Sequence, residues 1–262
     1  MSKPMKLSIL DYSPVDEGLL PADALAATVR LAQRVEERGF SRFWVSEHHG
    51  APVTASNSPE ILMSRIASAT KAIRIGSGGV LLPNYSSLKI AENYQLLEAL
   101  FPGRIDLGFG RAPGADRRTS KALNDEKGES IPYERKVADL LGFVTGHHAP
   151  GSAYKHMRAQ PETLDKPQPF VLGASGATAE IAAQAGLGFT FAHFINPRGD
   201  GPRAAQAYRA AFSASEFCAD PTVVVAVFVA VADTEEKAAE FASAFHLWLT
   251  YAESASPYDR VP

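Results

Sequence analysis

Residues Phe43–His49, with the sequence FWVSEHH, decide the fold prediction. The apolar run Phe43–Val45 has the aromatic and β-branched content of a buried strand. Helical patterns precede and follow this run, and such alternation of strands and helices builds a parallel sheet. Glu47, His48 and His49 then stand at the carboxyl end of the strand, where α/β proteins place their functional residues. The stretch predicts a functional site, although paired histidines at a strand end can also be ordinary surface residues.

The composition restricts the class of protein. The chain has 262 residues, of which 45% are hydrophobic, so it can bury a substantial core within one α/β barrel domain. A net charge of -3 argues against a nucleic-acid partner. The single cysteine, Cys218, excludes an internal disulfide and fits a reducing compartment. No apolar run has the length of a signal core or a membrane span, so we expect a soluble, cytoplasmic protein.

Strands and helices alternate along the whole chain. Short apolar runs predict seven strands, namely Leu7–Leu10, Phe43–His49, Ile73–Leu82, Ile105–Gly110, Phe170–Leu172, Phe189–Phe194 and Thr222–Val231. Apolar periodicity with Pro, Ser and Gly boundaries predicts a helix after each strand, namely Pro21–Gly39, Ser58–Ala72, Ser87–Phe101, Tyr133–Val144, Thr178–Ala185, Pro202–Ser215 and Thr234–Thr250.

This order predicts a TIM (β/α)8 barrel in one domain, residues 1–262, with the last β/α unit missing from the sequence. The segment Ala115–Pro132 is expected to be partly loop-like. The segment Gly146–Pro169 is too long for an ordinary connection, so it is predicted to be an insertion over the barrel mouth, with solvated histidines.

The third strand, IRIGSGGVLL, is interrupted by Gly76, Gly78 and Gly79. Glycines weaken a strand, so they mark a bulge or a position where another group approaches the backbone closely. Two explanations are consistent with this pattern: tight packing within the sheet, or the approach of a flat ligand. The neighbouring histidines favour the ligand.

Two further turns have the composition of anion sites. Arg111 follows the fourth strand in a glycine-containing turn, which suits a phosphate group or an ion pair with a neighbouring loop. The small residues Gly173–Gly176 open a helix, and such a turn exposes backbone N–H groups. It has neither the GK[ST] of a Walker loop nor a full GxGxxG motif. Together, these features predict a flat ligand that carries a phosphate.

The runs FWVSEHH, IGSGGVLLP and PGRIDLGFGRAPG, in this order and spacing, resemble the bacterial luciferase-like family of flavin-dependent monooxygenases. The resemblance extends from Leu7 to Ala252 and is nearest to single-chain bacterial members. It implies a TIM barrel that binds FMN at its carboxyl mouth. His48 matches the catalytic imidazole of the family, flanked by Glu47 and His49.

The resemblance also assigns the remaining cofactor contacts. Gly78 and Gly79 match a position where the family often has a cis peptide beneath the flavin ring, and Arg111 matches the phosphate-binding arginine. The turn that holds the rest of the phosphate corresponds to Ser175, Gly176 and Thr178. Ala174 stands where luciferase has an acidic residue.

The reaction implied is oxidation of a small organic substrate, such as an aldehyde, by dioxygen and reduced FMN. A separate flavin reductase would supply the reduced FMN. Family members usually form dimers, and the predicted helices Ser58–Ala72 and Ser87–Phe101 are the candidate homodimer faces.

Three alternatives stay open. A deazaflavin-dependent oxidoreductase has a similar barrel, and some members of the family are regarded as non-catalytic flavin-binding proteins. The third alternative is a metal-dependent hydrolase with Glu47, His49 and His193 as ligands, although we expect no metal site.

Overall fold

The structure is a computed structural model that describes residues 5–111, 115, 117–124 and 131–253. The chain divides into two compact units, Met1–Val225 and Ala226–Pro262. The first unit contains the barrel and all the predicted site residues. The second unit contains the last helix, α8.

Parallel strands form a nearly closed TIM barrel. The sheet order is β1-β2-β3-β5-β6-β7-β8, with the short strand β4 also paired to β5. The paired ladders from β1 to β7 are all parallel. The strands are β1 (Ser8–Asp11), β2 (Arg42–Val45), β3 (Arg74–Ser77), β4 (Val80–Leu81), β5 (Ile105–Gly110), β6 (Gln168–Gly173), β7 (Gly188–Ala192) and β8 (Val223–Ala226).

Helices connect these strands. They are α1 (Pro21–Glu37), α2 (Pro59–Ala69), α3 (Ser87–Leu100), α4 (Arg117–Leu123), α5 (Tyr133–Thr145), α6 (Gly176–Gln184), α7 (Gly201–Ala211) and α8 (Glu235–Glu253), with a 3-10 turn, η1, at Leu82–Asn84. This alternation confirms the predicted barrel. Within the described part of the chain, no helix combines the length and apolar character needed to cross a membrane.

Helix α1 illustrates how the sequence produces these elements. Pro21 occupies the first turn, where its missing N–H costs no hydrogen bond. Val29, Ala32 and Val35 recur at helical spacing and are buried against the barrel. Gly39 follows the helix with a φ of 76°, a left-handed conformation that glycine adopts without strain.

A buried ion network closes the amino-terminal end of the barrel. Asp106 is fully buried and lies 2.9 Å from Arg42 Nε and 2.7 Å from Arg74 Nε. Its Oδ2 also accepts a hydrogen bond of 2.9 Å from Trp44 Nε1. A Cβ atom on Gly76 would lie 2.7 Å from both Asp106 and Trp44 side-chain atoms. Glycine at this position therefore makes room for the network.

Two predicted strands are shorter than expected because the backbone leaves the sheet early. Strand β2 ends at Val45, so Glu47–His49 lie in an extended segment beyond it. The predicted strand Ile73–Leu82 divides into β3 and β4, since the backbone turns at Gly78 and Gly79.

Three other expectations need correction. The segment Gly146–Pro169 leads from α5 into the start of β6, where Gln168 accepts a hydrogen bond of 2.8 Å from Arg42, so it lies at the amino-terminal end of the barrel and not over the mouth. The predicted strand Thr222–Val231 is a strand only over Val223–Ala226, and the apolar side chains that follow, such as Val229 at 71%, are exposed. His148 is not simply solvated, because its ring packs edge-on against Phe143 and its Nε2 is 2.8 Å from the Met157 carbonyl oxygen.

Candidate functional site

The segment after β2 is held by backbone hydrogen bonds. Ser46 N–H donates to the carbonyl of Asp11 at 3.1 Å, and His48 N–H donates to the carbonyl of Ser56 at 3.0 Å. These bonds fix the extended backbone between β1 and the loop before α2. As a result, Glu47 is buried, while the imidazoles of His48 and His49 are half-buried at the carboxyl rim of the barrel.

Glu47 is the centre of a polar cluster. Its carboxylate accepts hydrogen bonds from Leu81 N–H at 2.9 Å and from the Tyr85 hydroxyl at 2.7 Å, and it lies 2.8 Å from His49 Nε2. The Tyr85 hydroxyl oxygen also lies 3.2 Å from His49 Nε2. Burial, together with the bond to Glu47, raises the pKa of Tyr85, so this hydroxyl stays protonated and donates.

His48 lies outside this cluster and has a different environment. Its Nδ1 is 3.2 Å from Ser46 Oγ, and its ring stacks on Tyr12 with centroids 5.0 Å apart. Tyr12 in turn meets Phe194 edge-on at 6.3 Å. Burial, followed by the nearby His49, lowers the pKa of His48, which favours the neutral imidazole. Its Nε2 makes no hydrogen bond to residues that the structure describes.

The Gly78–Gly79 peptide bond is cis, as the family resemblance implies. A Cβ atom on Gly78 would lie 2.5 Å from a Leu10 methyl carbon, and one on Gly79 would lie 2.9 Å from the backbone carbonyl of Gly108. A side chain at Gly79 would therefore clash with backbone, whereas one at Gly78 would displace the Leu10 methyl group, and both contacts show tight packing within the sheet. The turn leaves bare backbone at the carboxyl end of β3, beside the segment that carries His48.

Arg111 and Thr178 follow two adjacent strands, β5 and β6. Gly110 in β5 pairs with Leu172 in β6, so Arg111 lies beside Gly173 at the same rim. The Thr178 side chain lies against Gly173, since a Cβ atom there would clash with its hydroxyl and methyl groups.

The hydroxyl oxygens of Ser175 and Thr178 are 3.3 Å apart at the start of α6. Gly176 is the first residue of that helix and is exposed. No side chain caps the N-terminus of α6 at Ser175. This end of the site thus presents a guanidinium, two hydroxyls and uncapped backbone N–H groups.

The predicted site residues share one rim, because each follows the carboxyl end of a strand in the paired series β2, β3, β5 and β6. His193 follows β7 and packs near Phe191. Within the described ranges, no three His, Cys, Asp or Glu side chains are grouped to hold a metal ion. Glu47 and His49 are hydrogen-bonded to each other at 2.8 Å.

Sequence reasoning did not identify three residues of this region. Tyr85 and Tyr12 lie in loops whose local sequence gives no sign of a contact with Glu47 or His48. Glu60, at the start of α2, was assigned only to a helix. Burial raises the pKa of Glu60, and the charge of Glu47 adds to the rise. Such carboxyl–carboxyl proximity has no signal in a single sequence.

A family model described as luciferase-like monooxygenase matches residues 5–260. The chain belongs to this family. The assignment makes it an oxidoreductase of the oxygen-incorporating class, and it confirms the resemblance found in the three sequence runs.

Luciferase-like relatives match over most of the chain. The protein YwcH of Bacillus subtilis is 45% identical over 259 residues, which cover 98% of this chain and 78% of YwcH. A luciferase-like monooxygenase of Escherichia coli is 37% identical, with 90% of this chain and 69% of the relative covered. The crystal structure of apo-MsnO8 aligns with a TM-score of 0.84 at 38% identity, covering 95% of this chain and 73% of that one.

Proposed function

We propose that the chain is an FMN-dependent monooxygenase that uses reduced FMN and dioxygen to oxidise a small organic substrate such as an aldehyde. The observation that carries the proposal is the arrangement of His48, the Gly78–Gly79 backbone and Arg111 at successive strand ends of one rim. This order presents an imidazole, a bare backbone surface and a cation to one elongated ligand.

The donor set at β5 and β6 fits the phosphate of FMN. Phosphate oxygens accept hydrogen bonds from guanidinium, hydroxyl and helix N-terminal N–H groups. Arg111, Ser175 and Thr178 supply the first two kinds, and the exposed backbone at Gly176 supplies the third. In this proposal, these four residues bind the phosphate.

The backbone at Gly78 and Gly79 would support the flavin ring. Neither residue carries a side chain, so the remaining face of the peptide is bare backbone that a flat ring could approach closely. Bound reduced FMN would supply the electrons for reaction with dioxygen. Glu47 fixes this backbone through its bond to Leu81 N–H, and it orients His49 beside the ring.

His48 is the proposed catalytic residue. Its neutral imidazole is held on Tyr12 by stacking and on Ser46 by Nδ1, which leaves Nε2 to accept or return a proton near the flavin. The aromatic surface of Tyr12 and Phe194 would exclude water from this side of the site.

The cofactor is the part of the proposal that titration must decide. The fold is shared with a Baeyer-Villiger monooxygenase solved with FMN (TM-score 0.70, 18% identity) and with an F420-dependent secondary alcohol dehydrogenase (TM-score 0.65, 16% identity). A Bacillus subtilis relative named N-acetyl-S-alkylcysteine monooxygenase, 45% identical over 73% of this chain and 58% of its own length, supports a small organic substrate. A thioether therefore belongs in the substrate panel beside aldehydes.

Three further points complete the proposal. A separate flavin reductase supplies reduced FMN, and the protein works in the cytoplasm, where the free thiol of Cys218 stays reduced. The chain forms a homodimer through α2 and α3, which expose Ile61, Leu96 and Leu100 at 75%, 51% and 56%. Light scattering after size exclusion tests the dimer, and a monomeric mass would contradict it.

The decisive experiment is a titration of purified protein with FMN and with F420, followed by oxygen uptake with reduced FMN and the substrate panel. We expect FMN binding and substrate-dependent oxygen uptake. His48→Ala should keep FMN affinity and lose most turnover, whereas Arg111→Ala should weaken FMN affinity. Binding of F420 alone would overturn the choice of cofactor, and unchanged turnover in His48→Ala would overturn the catalytic assignment.

A further inference from the structure

The loop that follows β1 contains a strained residue. Among the described residues other than glycine, only Ser13 has a positive φ, at 49°. This left-handed conformation is unfavourable for a residue with a Cβ atom, so it persists only where surrounding contacts hold it. Ser13 is fully buried and directly follows Tyr12, whose ring stacks on His48. The strain therefore lies in the backbone that sets the direction of the Tyr12 ring.

Asp11 and Thr28 hold Ser13 in this conformation. The Asp11 carboxylate accepts a hydrogen bond of 3.1 Å from Ser13 N–H, and Ser13 Oγ lies 3.4 Å from the same oxygen. Thr28, on the buried face of α1, donates its hydroxyl to that oxygen at 2.5 Å, and its Oγ1 lies 2.9 Å from Ser13 Oγ. We call Asp11, Ser13 and Thr28 the β1 latch, because they tie the loop after β1 to α1.

The loop is also bonded to the segment before α2. The Thr54 hydroxyl donates to the carbonyl of Tyr12 at 2.6 Å, and Ala55 N–H donates to the carbonyl of Ser13 at 3.0 Å. Both residues that determine the direction of the Tyr12 ring are thus fixed to this segment by their backbone.

The next residue of the same segment, Ser56, holds His48. Its carbonyl accepts the N–H of His48 at 3.0 Å, and its Oγ donates to the carbonyl of Ser46 at 2.5 Å. The Tyr12 ring and the His48 ring are therefore aligned against one short segment. Their contact depends on the loop after β1 keeping its conformation.

We propose that Ser13 is a positioning residue of the active site, because the β1 latch holds its left-handed backbone and thereby fixes the Tyr12 ring against the imidazole of His48. The stacked ring restricts rotation of the imidazole, so Nε2 keeps one direction. Small displacements of a catalytic group reduce turnover steeply. This inference rests on the proposed function, since it takes His48 as the catalytic residue.

The first test compares Ser13→Ala with Ser13→Gly. Both variants lose the hydroxyl, but only glycine adopts a positive φ without strain. We expect Ser13→Ala to lower kcat by about tenfold and to keep FMN affinity within about twofold of wild type, because the flavin contacts are untouched. Ser13→Gly should recover most of the lost turnover. An equal loss of kcat in the two variants would overturn the inference.

The second test removes the Thr28 hydroxyl without changing the shape of the side chain. Thr28→Val is compared with Thr145→Val, which makes the same change at a buried threonine whose hydroxyl bonds to Leu141 within α5. Both variants should melt at a lower temperature than wild type. Only Thr28→Val should lower kcat. A purely structural role of Thr28 predicts the same kcat in both variants, and that result would contradict the latch.

NMR of ring-labelled histidine gives a readout that needs no flavin. The His48 signals, identified by their loss in His48→Gln, should be displaced upfield by the stacked Tyr12 ring, and Tyr12→Leu supplies their position without it. In Ser13→Ala and Thr28→Val the signals should move towards the Tyr12→Leu position. In Ser13→Gly they should stay near the wild-type position.

Wild-type positions of the His48 signals in both Ser13→Ala and Thr28→Val would overturn the inference. If wild type shows no turnover with reduced FMN, the proposed function fails by itself, and the NMR positions alone then decide the latch. Movement in those two variants supports it, and no movement rejects it.

Discussion

Replacing Glu47 with glutamine tests the polar cluster on which the rim depends. The carboxylate receives three hydrogen bonds, from Leu81 N–H, Tyr85 and His49. A glutamine offers one oxygen, so at least one of these donors faces an NH2 group instead. Each of the three charge-assisted bonds should weaken by about 1 kcal/mol, and about 1 kcal/mol is regained because no charge is buried. We therefore expect the free energy of unfolding to fall by about 2 kcal/mol.

Urea denaturation of wild type, Glu47→Gln and Glu37→Gln measures this loss, since Glu37 is exposed at the end of α1. Adding Tyr85→Phe and the double variant gives a thermodynamic cycle, in which we expect a coupling of about 1 kcal/mol between Glu47 and Tyr85. A Glu47→Gln variant within about 0.5 kcal/mol of wild type, or a cycle with no coupling, would refute the idea that this cluster holds the rim together.

Three further substitutions test other parts of the barrel. Glu36→Gln should cost about 1–2 kcal/mol at pH 7 because three backbone N–H groups donate to the carboxylate. Although burial opposes the shift, these bonds lower the pKa of Glu36 below its ordinary 4.5. The difference in free energy of unfolding between wild type and Glu36→Gln, measured in urea, should therefore shrink as the pH falls below about 4.5 and disappear below the folded-state pKa. Asp106→Asn should cost about 3 kcal/mol by leaving Arg42 and Arg74 without their buried partner, yet leave the FMN affinity of the folded protein unchanged. Gly79→Ala places a Cβ atom 2.9 Å from the Gly108 backbone, so it should lower the free energy of unfolding by about 1–3 kcal/mol and weaken FMN binding. A wild-type free energy of unfolding together with wild-type FMN affinity would contradict this prediction.

The barrel could be predicted from the sequence because its evidence is local. Apolar runs such as Ile105–Gly110 and proline-initiated helices such as α1 and α2 carry their own periodicity and boundaries. The end of β2 could not be predicted, because it depends on the His48 N–H bond to the carbonyl of Ser56, in the loop before α2, and such a contact has no local signal in the sequence. Strand Thr222–Val231 was predicted too long, since apolar content does not reveal whether a side chain is buried.

The candidate site was predictable only in part, because only some of its residues are marked by their local sequence. Residues next to strand ends, such as His48 and Arg111, could be chosen because topology brings strand ends together. Tyr12 and Tyr85 could not be chosen, since their roles depend on contacts with residues distant in sequence.

The bond between Glu47 and Leu81 has a practical consequence for redesign. One carboxylate holds both the backbone after the glycine turn and the segment that presents His48, so neither can be remodelled without disturbing the other. Tyr12 stacks on that imidazole, and Phe194 packs edge-on against Tyr12. Libraries that seek new substrate preferences should therefore vary Phe194 and keep Glu47 and Tyr12 unchanged.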